Sequence, residues 1–182
     1  MSITHAFAGA FSVMPIELPG PPAARALKRS NSELLRPVNV DLEALEIGAR
    51  DASDETQSYL DLQNGEVLCV VKGEPDERLL KARIKAERKR FKKVPAFGLA
   101  EERGLLRQFL SQQMDGAGRD FLMRLVDEPG AFHACLTTLK ADAPLWRAWE
   151  KFEALGVRNS LLAWMAGLGV CPSMMLSALM DE

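Results

Sequence analysis

The stretch YLDLQNGEVLCVV, residues 59–71, is the part of the sequence most typical of β-structure. In its first half leucine alternates with other side chains, and its second half ends in a run of apolar residues. Between the two halves, Asn64 and Gly65 form a dipeptide that favours a tight hairpin turn, because both residues tolerate a positive φ. We therefore predict a β-hairpin over residues 57–71.

A two-stranded hairpin is marginally stable in water, so this one must pack on helices, gain a third strand or pair with another chain. Val38–Val40 reads as extended and is our candidate for the third strand. The return strand, Val67–Val71, is apolar at every position, which is typical of a strand covered on both faces. These features favour a core role for the hairpin over pairing with another chain through an exposed edge.

Most of the chain after residue 40 has apolar residues at helical spacing. Asp41 is the predicted N-cap of a helix that starts at Leu42, since its side chain can accept hydrogen bonds from the first turn. From residue 95 onward we predict a series of short helices, with breaks at Pro129–Gly130 and at Gly156. The predicted fold class is α+β, predominantly α: a short antiparallel β-hairpin, with three strands as an option, packed on a bundle of short helices.

Residues 76–93, DERLLKARIKAERKRFKK, have the pattern of a basic amphipathic helix. Residues 72–93 hold ten basic and four acidic side chains, a net charge of +6 in a chain whose total is -2. Leu80, Ile84 and Phe91 would share one face of this helix. The opposite face would carry a candidate contact for an anion or a nucleic acid, formed by Arg78, Lys81, Lys85, Lys89 and Lys92. The alternatives are solvation of this face, pairing with the protein's own acidic segments, and contact with an acidic protein or an anionic membrane surface.

The two ends of the chain differ in composition from its middle. Residues 1–37 contain five prolines and are expected to be a flexible arm, whereas residues 38–182 are expected to form a single α-rich domain. Candidate partner contacts in these end regions are Phe7, Phe11, Met174, Met175 and Met180. Packing on the protein's own body is the alternative for the methionines, and an unstructured leader is the alternative for the phenylalanines.

No catalytic, cofactor-binding or metal-binding motif is recognisable in the sequence. His133 and Cys135 would point about 200° apart on one helix and so cannot meet. The acidic residues between Asp51 and Asp61 lack the spacing of a calcium loop, and no phosphate-binding glycine motif follows a strand. The sequence therefore predicts no enzyme and no cofactor.

The cysteines and aromatic residues favour ordinary structural roles. The three cysteines have no C-x-x-C spacing, which favours a reducing cytoplasm, and no apolar run approaches the roughly 20 residues of a membrane span. A set of aromatic residues at helical spacing is predicted to be core and not a stacking platform: Trp146, Trp149, Phe152 and Trp164.

Three segments together resemble a bacterial family known as uncharacterised protein family 0158. They are VDLEALEIGARDASDETQSYLDLQNGEVLCV, VPAFGLAEERGLLRQFL, and the region from FLMRLVDEPGAF to AWMAGLGV. The likeness covers residues 38–170 and implies a cytoplasmic bacterial protein with helices around a small antiparallel element. His133, Ala134 and Cys135 replace the basic pair and phenylalanine that the family pattern has after Gly-Ala-Phe. The resemblance implies no activity.

These observations lead to three hypotheses about function. The first is a non-enzymatic interaction or regulatory module with a protein partner. The second is a nucleic-acid-associated protein that uses the basic segment at 76–93, and the third is a small enzyme with an unrecognised site. The sequence leaves the oligomeric state open.

Overall fold

The computed structural model describes residues 35–174 and confirms the predicted fold class, α+β and predominantly α. Its helices are α1 (Leu42–Arg50), α2 (Glu77–Ala86), α3 (Leu99–Gln113), α4 (Gly116–Asp127), α5 (Phe132–Lys140) and α6 (Ala143–Gly167). Its strands are β1 (Arg36–Val38), β2 (Thr56–Asp61), β3 (Val67–Val71), β4 (Phe91–Lys93) and β5 (Val170–Pro172). Most of the predicted arm, with Phe7 and Phe11, lies outside the described residues, as do Met175 and Met180. Arg36 and Pro37, which the sequence assigned to the arm, belong to β1.

The described part of the chain divides into two compact units. The helical unit comprises residues 103–153, and the sheet unit comprises residues 35–102 and 154–174. The boundaries between them fall within α3 and α6. The prediction of a single domain over residues 38–182 stays a prediction, because part of that range is outside the described residues.

The predicted hairpin is present as β2 and β3, which pair in antiparallel register from Thr56 opposite Val71 to Leu60 opposite Val67. Gly65 has the positive φ that the turn requires, at 83°, and its N–H donates to the carbonyl of Asp61 at 2.8 Å. A side chain at Gly65 would also collide with the carbonyl oxygen of Asn39. Glycine is therefore required here both by the backbone angle and by the close approach of another segment.

The prediction that Val38–Val40 supplies the third strand is wrong. The third strand is β4, which pairs antiparallel with β2, so the strand order is β3-β2-β4. β1 instead pairs in parallel with β5, with Val38 opposite Pro172. Val38, Val40 and Val170 are buried in the core of the sheet unit. The apolar residues of the 38–40 segment are therefore buried, but beside β5 and not as the third strand of the hairpin sheet.

The two faces of the sheet are covered by different helices. α1 contacts β2 and β3 on the face that carries Ser58, where a Cβ on Gly48 would lie 2.7 Å from the serine side chain. α2 contacts β3 on the other face, which carries the buried Leu68 and Val70. The prediction that β3 is covered on both faces is wrong, because Cys69 and Val71 on the first face are exposed. The helix α1 lies over β2 and leaves the last residues of β3 open on that side.

The predicted helix at 76–93 is shorter than its periodicity indicated. α2 ends at Ala86, residues 87–90 form a turn, and β4 begins at Phe91. Two tertiary interactions favour this ending over continued helix: Phe91 is buried in the sheet, and Arg90 forms an ion pair with Asp61. The N-cap prediction for α1 is confirmed, since the Asp41 side chain accepts hydrogen bonds from the N–H groups of Glu43 and Ala44.

The helical unit has a core of aliphatic and aromatic side chains. Trp149 and Phe152 are buried there, as predicted, and Phe109 packs edge-on against the indole of Trp149 with 5.5 Å between ring centroids. The predicted break at Pro129–Gly130 is confirmed between α4 and α5. The predicted break at Gly156 is wrong, because α6 runs continuously from Ala143 to Gly167. One glycine costs a helix about 1 kcal/mol, which the burial of side chains on either side readily offsets.

Candidate interaction surface

The outer face of α2, the helix within the basic segment 76–93, is strongly cationic. Arg78, Lys81 and Lys85 follow one another at three- and four-residue spacing, so they share one side of the helix, and all three are exposed. Lys81 forms an ion pair with Glu77 at 2.5 Å, and its hydrogen bond lowers the pKa of Glu77. Within residues 35–174, Arg78 and Lys85 have no carboxylate at ion-pair distance. Two cations of this side are thus available to a partner.

The other two predicted contacts, Lys89 and Lys92, are not on α2. Lys89 is exposed in the turn at 87–90, and Lys92 lies on β4, where its ammonium group donates to the carbonyl of Arg88 at 3.2 Å. The prediction of five cations in one row along a helix is therefore wrong. Arg78, Lys81 and Lys85 form the row, while the turn that follows carries Arg88 and Lys89 as a second cationic group.

An apolar strip lies beside the cationic row of α2. Leu79, Ala82 and Ala86 are all exposed and recur at i, i+3 and i+7, so they lie along one line of the helix. The Leu79 side chain is 75% exposed, the largest exposure among the large apolar residues that the structure describes as exposed. Arg78 and Lys85 flank the strip on one side, and Arg83 flanks it on the other. An apolar line with cations on both sides is complementary to a surface that has an apolar side chain with acidic groups next to it.

The end of α2 is fixed by a buried ion pair. Asp61 is fully buried at the end of β2, and Arg90 contacts both of its carboxylate oxygens, with Nε 2.8 Å from Oδ1 and Nη2 2.6 Å from Oδ2. The backbone N–H of Gln63 also donates to Asp61, at 2.8 Å. The hydrogen bonds from Arg90 lower the pKa of Asp61 below its ordinary value, although burial acts in the opposite direction.

This ion pair fixes the turn that carries Arg88 and Lys89. Arg90 also contacts the carboxylate of Glu87 at 3.1 Å, and the guanidinium groups of Arg83 and Arg90 each lie 5.1 Å from the centroid of the Phe91 ring. The guanidinium pKa of Arg90 is raised, mainly by its hydrogen bonds to Asp61. Arg90 is therefore a structural cation, whereas Arg83, although it contacts the Phe91 ring, is exposed, as are Arg88 and Lys89.

The residues considered for chemistry are separated in the structure. His133 is exposed and Cys135 is buried, so they lie on different sides of α5 as their spacing predicts. Burial raises the pKa of the Cys135 thiol to about 11, and its sulfur lies 3.6 Å from the carbonyl oxygen of Leu122. Residues 35–174 contain no group of three histidine, cysteine or acidic side chains placed to hold a metal ion. In the same range, none of the helices is both long and apolar enough to cross a bilayer.

A family model described as Uncharacterised protein family (UPF0158) matches residues 35–173, which is most of the chain. The chain belongs to this family. The UPF0158 match includes the hairpin, α2 and both units, and it confirms the resemblance that the sequence motifs indicated for residues 38–170. No curated protein and no solved structure matches the chain significantly.

Sequence reasoning missed two parts of this surface. The first is the Asp61–Arg90 ion pair, which joins residues 29 positions apart and has no local signal. The second is the apolar strip, for which a signal existed: Leu79 and Leu80 are adjacent on a helix, so they point about 100° apart and cannot both face the sheet. Leu80 is half-buried and Leu79 is the exposed one.

Proposed function

We propose that the protein is a non-enzymatic interaction module that binds an acidic segment of a protein partner on the outer face of α2. The observation that supports this best is the apolar strip of Leu79, Ala82 and Ala86 between exposed cations. Leu79, Ala82 and Ala86 form a continuous exposed apolar line and not a single exposed side chain, which is the arrangement expected of a contact that becomes buried in a complex. The cations on either side would steer an acidic partner and fix its orientation.

The apolar strip favours a protein over a nucleic acid. A phosphate backbone is held by cations and hydrogen-bond donors, and it offers no apolar group for Leu79 to contact. Single-stranded nucleic acids are bound by stacking on aromatic side chains, and α2 contains none. Protein interfaces, in contrast, combine a small apolar centre with a charged rim. Nucleic-acid association through Arg78, Lys85 and Lys89 is the alternative that the experiment must distinguish from protein binding.

The experiment captures partners from a nuclease-treated extract of the host with full-length tagged protein. The wild type is compared with Leu79→Ala and with the double variant Arg78→Glu/Lys85→Glu. A matched control, Arg124→Glu/Arg147→Glu, reverses two exposed cations in the helical unit. We expect a protein that the wild type and the control enrich, and that both α2 variants lose. The proposal is contradicted if Leu79→Ala changes nothing, or if nuclease treatment removes all enrichment.

A further inference from the structure

The outer edge of β3 is an open backbone edge within the described residues. The N–H of Lys72 donates to the carbonyl of Glu55, and the N–H of Asp61 donates to the carbonyl of Glu66, each at 2.8 Å. Because alternate residues of an antiparallel strand bond to the same neighbour, Leu68 and Val70 also point their backbone groups toward β2. The backbone groups of Val67, Cys69 and Val71 therefore point away from the sheet. Among them, within residues 35–174, only the carbonyl of Val71 has a backbone partner, the N–H of Glu74 at 3.4 Å.

The two edges of the sheet are protected differently. β4 is three residues long and carries Lys92 and Lys93, which is the usual protection against pairing with another strand. β3 has five residues, VLCVV, without a proline, a glycine or a charge. An edge strand of this kind is a template for another strand.

The sequence around β3 is complementary to itself when it is read in the antiparallel direction. We propose that two copies of the chain pair through their β3 edges, centred on Cys69, to form one continuous six-stranded sheet. In that register Glu66 of each copy lies opposite Lys72 of the other, so the dimer contains two cross-strand ion pairs. Glu66 and Lys72 are both exposed, and neither has an ion-pair partner among residues 35–174.

The same register also matches the apolar side chains. Val67 of one copy lies opposite Val71 of the other, and the two Cys69 residues lie opposite one another. These three residues share the sheet face on which Cys69 and Val71 are exposed. Pairing would therefore place half-covered β-branched side chains against each other and would satisfy the outward backbone groups of both copies. A contact in which both subunits use the same surface closes as a dimer and does not propagate.

Sedimentation equilibrium with charge-swapped variants tests this register. In Glu66→Lys, the new lysine faces Lys72 of the partner copy, and in Lys72→Glu two glutamates face one another. We expect each single variant to weaken dimerisation about tenfold, and the double variant Glu66→Lys/Lys72→Glu to restore it, because the charges are again opposite. Salt at about 150 mM keeps the Debye length near 8 Å. Repulsion between the basic 76–93 segments of the two copies is then screened, whereas the Glu66–Lys72 pairs, which are in direct contact, persist.

A thiol cross-link gives a second measurement that does not depend on the charges. Because the two Cys69 side chains would lie on the same face of neighbouring strands, a short bismaleimide should join the wild-type chains and should fail with Cys69→Ser. The proposal is overturned if the full chain is monomeric at submillimolar concentration, or if the double charge swap does not recover dimerisation. It is also overturned if only a chain lacking residues 1–34 dimerises, because the arm would then be the occupant of this edge.

Discussion

Arg90 binds both carboxylate oxygens of Asp61 with one edge of its guanidinium group, Nε at 2.8 Å and Nη2 at 2.6 Å, across 29 residues of sequence. The pair connects the end of β2 to the start of β4, so it determines where α2 stops and where the third strand begins. It also fixes the exposed turn that carries Arg88 and Lys89. One buried ion pair therefore links the fold of the sheet unit to the shape of the proposed binding surface.

Asp61→Asn should destabilise the protein, because it removes the charge of the buried partner of Arg90 and leaves only the exposed Glu87 to pair with the guanidinium. Loss of one member of a buried pair costs about 3 kcal/mol, and we expect a loss of that order in the free energy of unfolding. Urea-induced unfolding followed by tryptophan fluorescence measures it. Asp54→Asn is the matched control, since Asp54 is exposed, and it should change the stability by less than about 0.5 kcal/mol. Equal effects of the two substitutions would show that the ion pair does not stabilise the fold.

The contribution of Asp61 should depend on pH. Hydrogen bonds from Arg90 hold its pKa in the folded state below the ordinary value of 3.8. The ionised carboxylate therefore stabilises the fold above about pH 4, and this stabilisation is lost as the pH falls toward the folded-state pKa. The difference in unfolding free energy between wild type and Asp61→Asn should shrink between about pH 7 and about pH 3. A difference that is constant over this range would contradict the lowered pKa.

Two glycines with nearly the same backbone angle should respond differently to alanine. Gly65 has φ 83° and lies against the carbonyl of Asn39, whereas Gly73 has φ 86° and a Cβ added to it would meet no atom within 4 Å. Gly73→Ala should cost about 1 kcal/mol from the positive φ alone. Gly65→Ala should cost more than about 2 kcal/mol, because the 39–40 segment must also move. Equal losses, measured by urea-induced unfolding, would mean that Asn39 does not pack on the turn.

The cysteines should differ in their reactivity toward a maleimide in the folded protein. Cys69 is exposed, whereas Cys135 is buried, and burial raises the pKa of the Cys135 thiol to about 11. Because the thiolate is the reactive form, Cys69 should be modified quickly and Cys135 only after unfolding. Peptide mass spectrometry at timed intervals distinguishes the two, and Cys69→Ser should remove the fast phase. Rapid modification of Cys135 in the folded protein would contradict its burial.

Local signals in the sequence were sufficient for the hairpin, for the cap of α1 and for the cationic row of α2. Asn64-Gly65 determines the turn within a few residues, and Arg78, Lys81 and Lys85 need only helical periodicity. β4 could not be predicted in this way, since Phe91 also fits the apolar face of a longer helix with Leu80 and Ile84. Its placement depends on Asp61, far away in the chain.

Local sequence patterns also could not predict which segments pair at the edges of the two sheets. β1 and β5 pair residues 36–38 with residues 170–172, and nothing in either segment indicates the other. The apolar pattern of Val67–Val71 predicted burial on both faces, but exposure of Cys69 depends on how far α1 extends over the sheet. The edge of β3 is open because Val38 pairs with β5, and residues 38–39 approach the hairpin only at its turn, beside Gly65.

Photo-cross-linking from the centre of the apolar strip tests the proposed function most directly. Ala82 is replaced by p-benzoylphenylalanine in the full-length protein, and Ala134, an exposed alanine on α5, is replaced in the same way as the control. After irradiation in the host, we expect a discrete, nuclease-resistant protein adduct from position 82 and none from position 134. The cross-linked peptide should be acidic with an apolar residue at the point of attachment. An adduct that nuclease removes, or no adduct specific to position 82, would contradict the account.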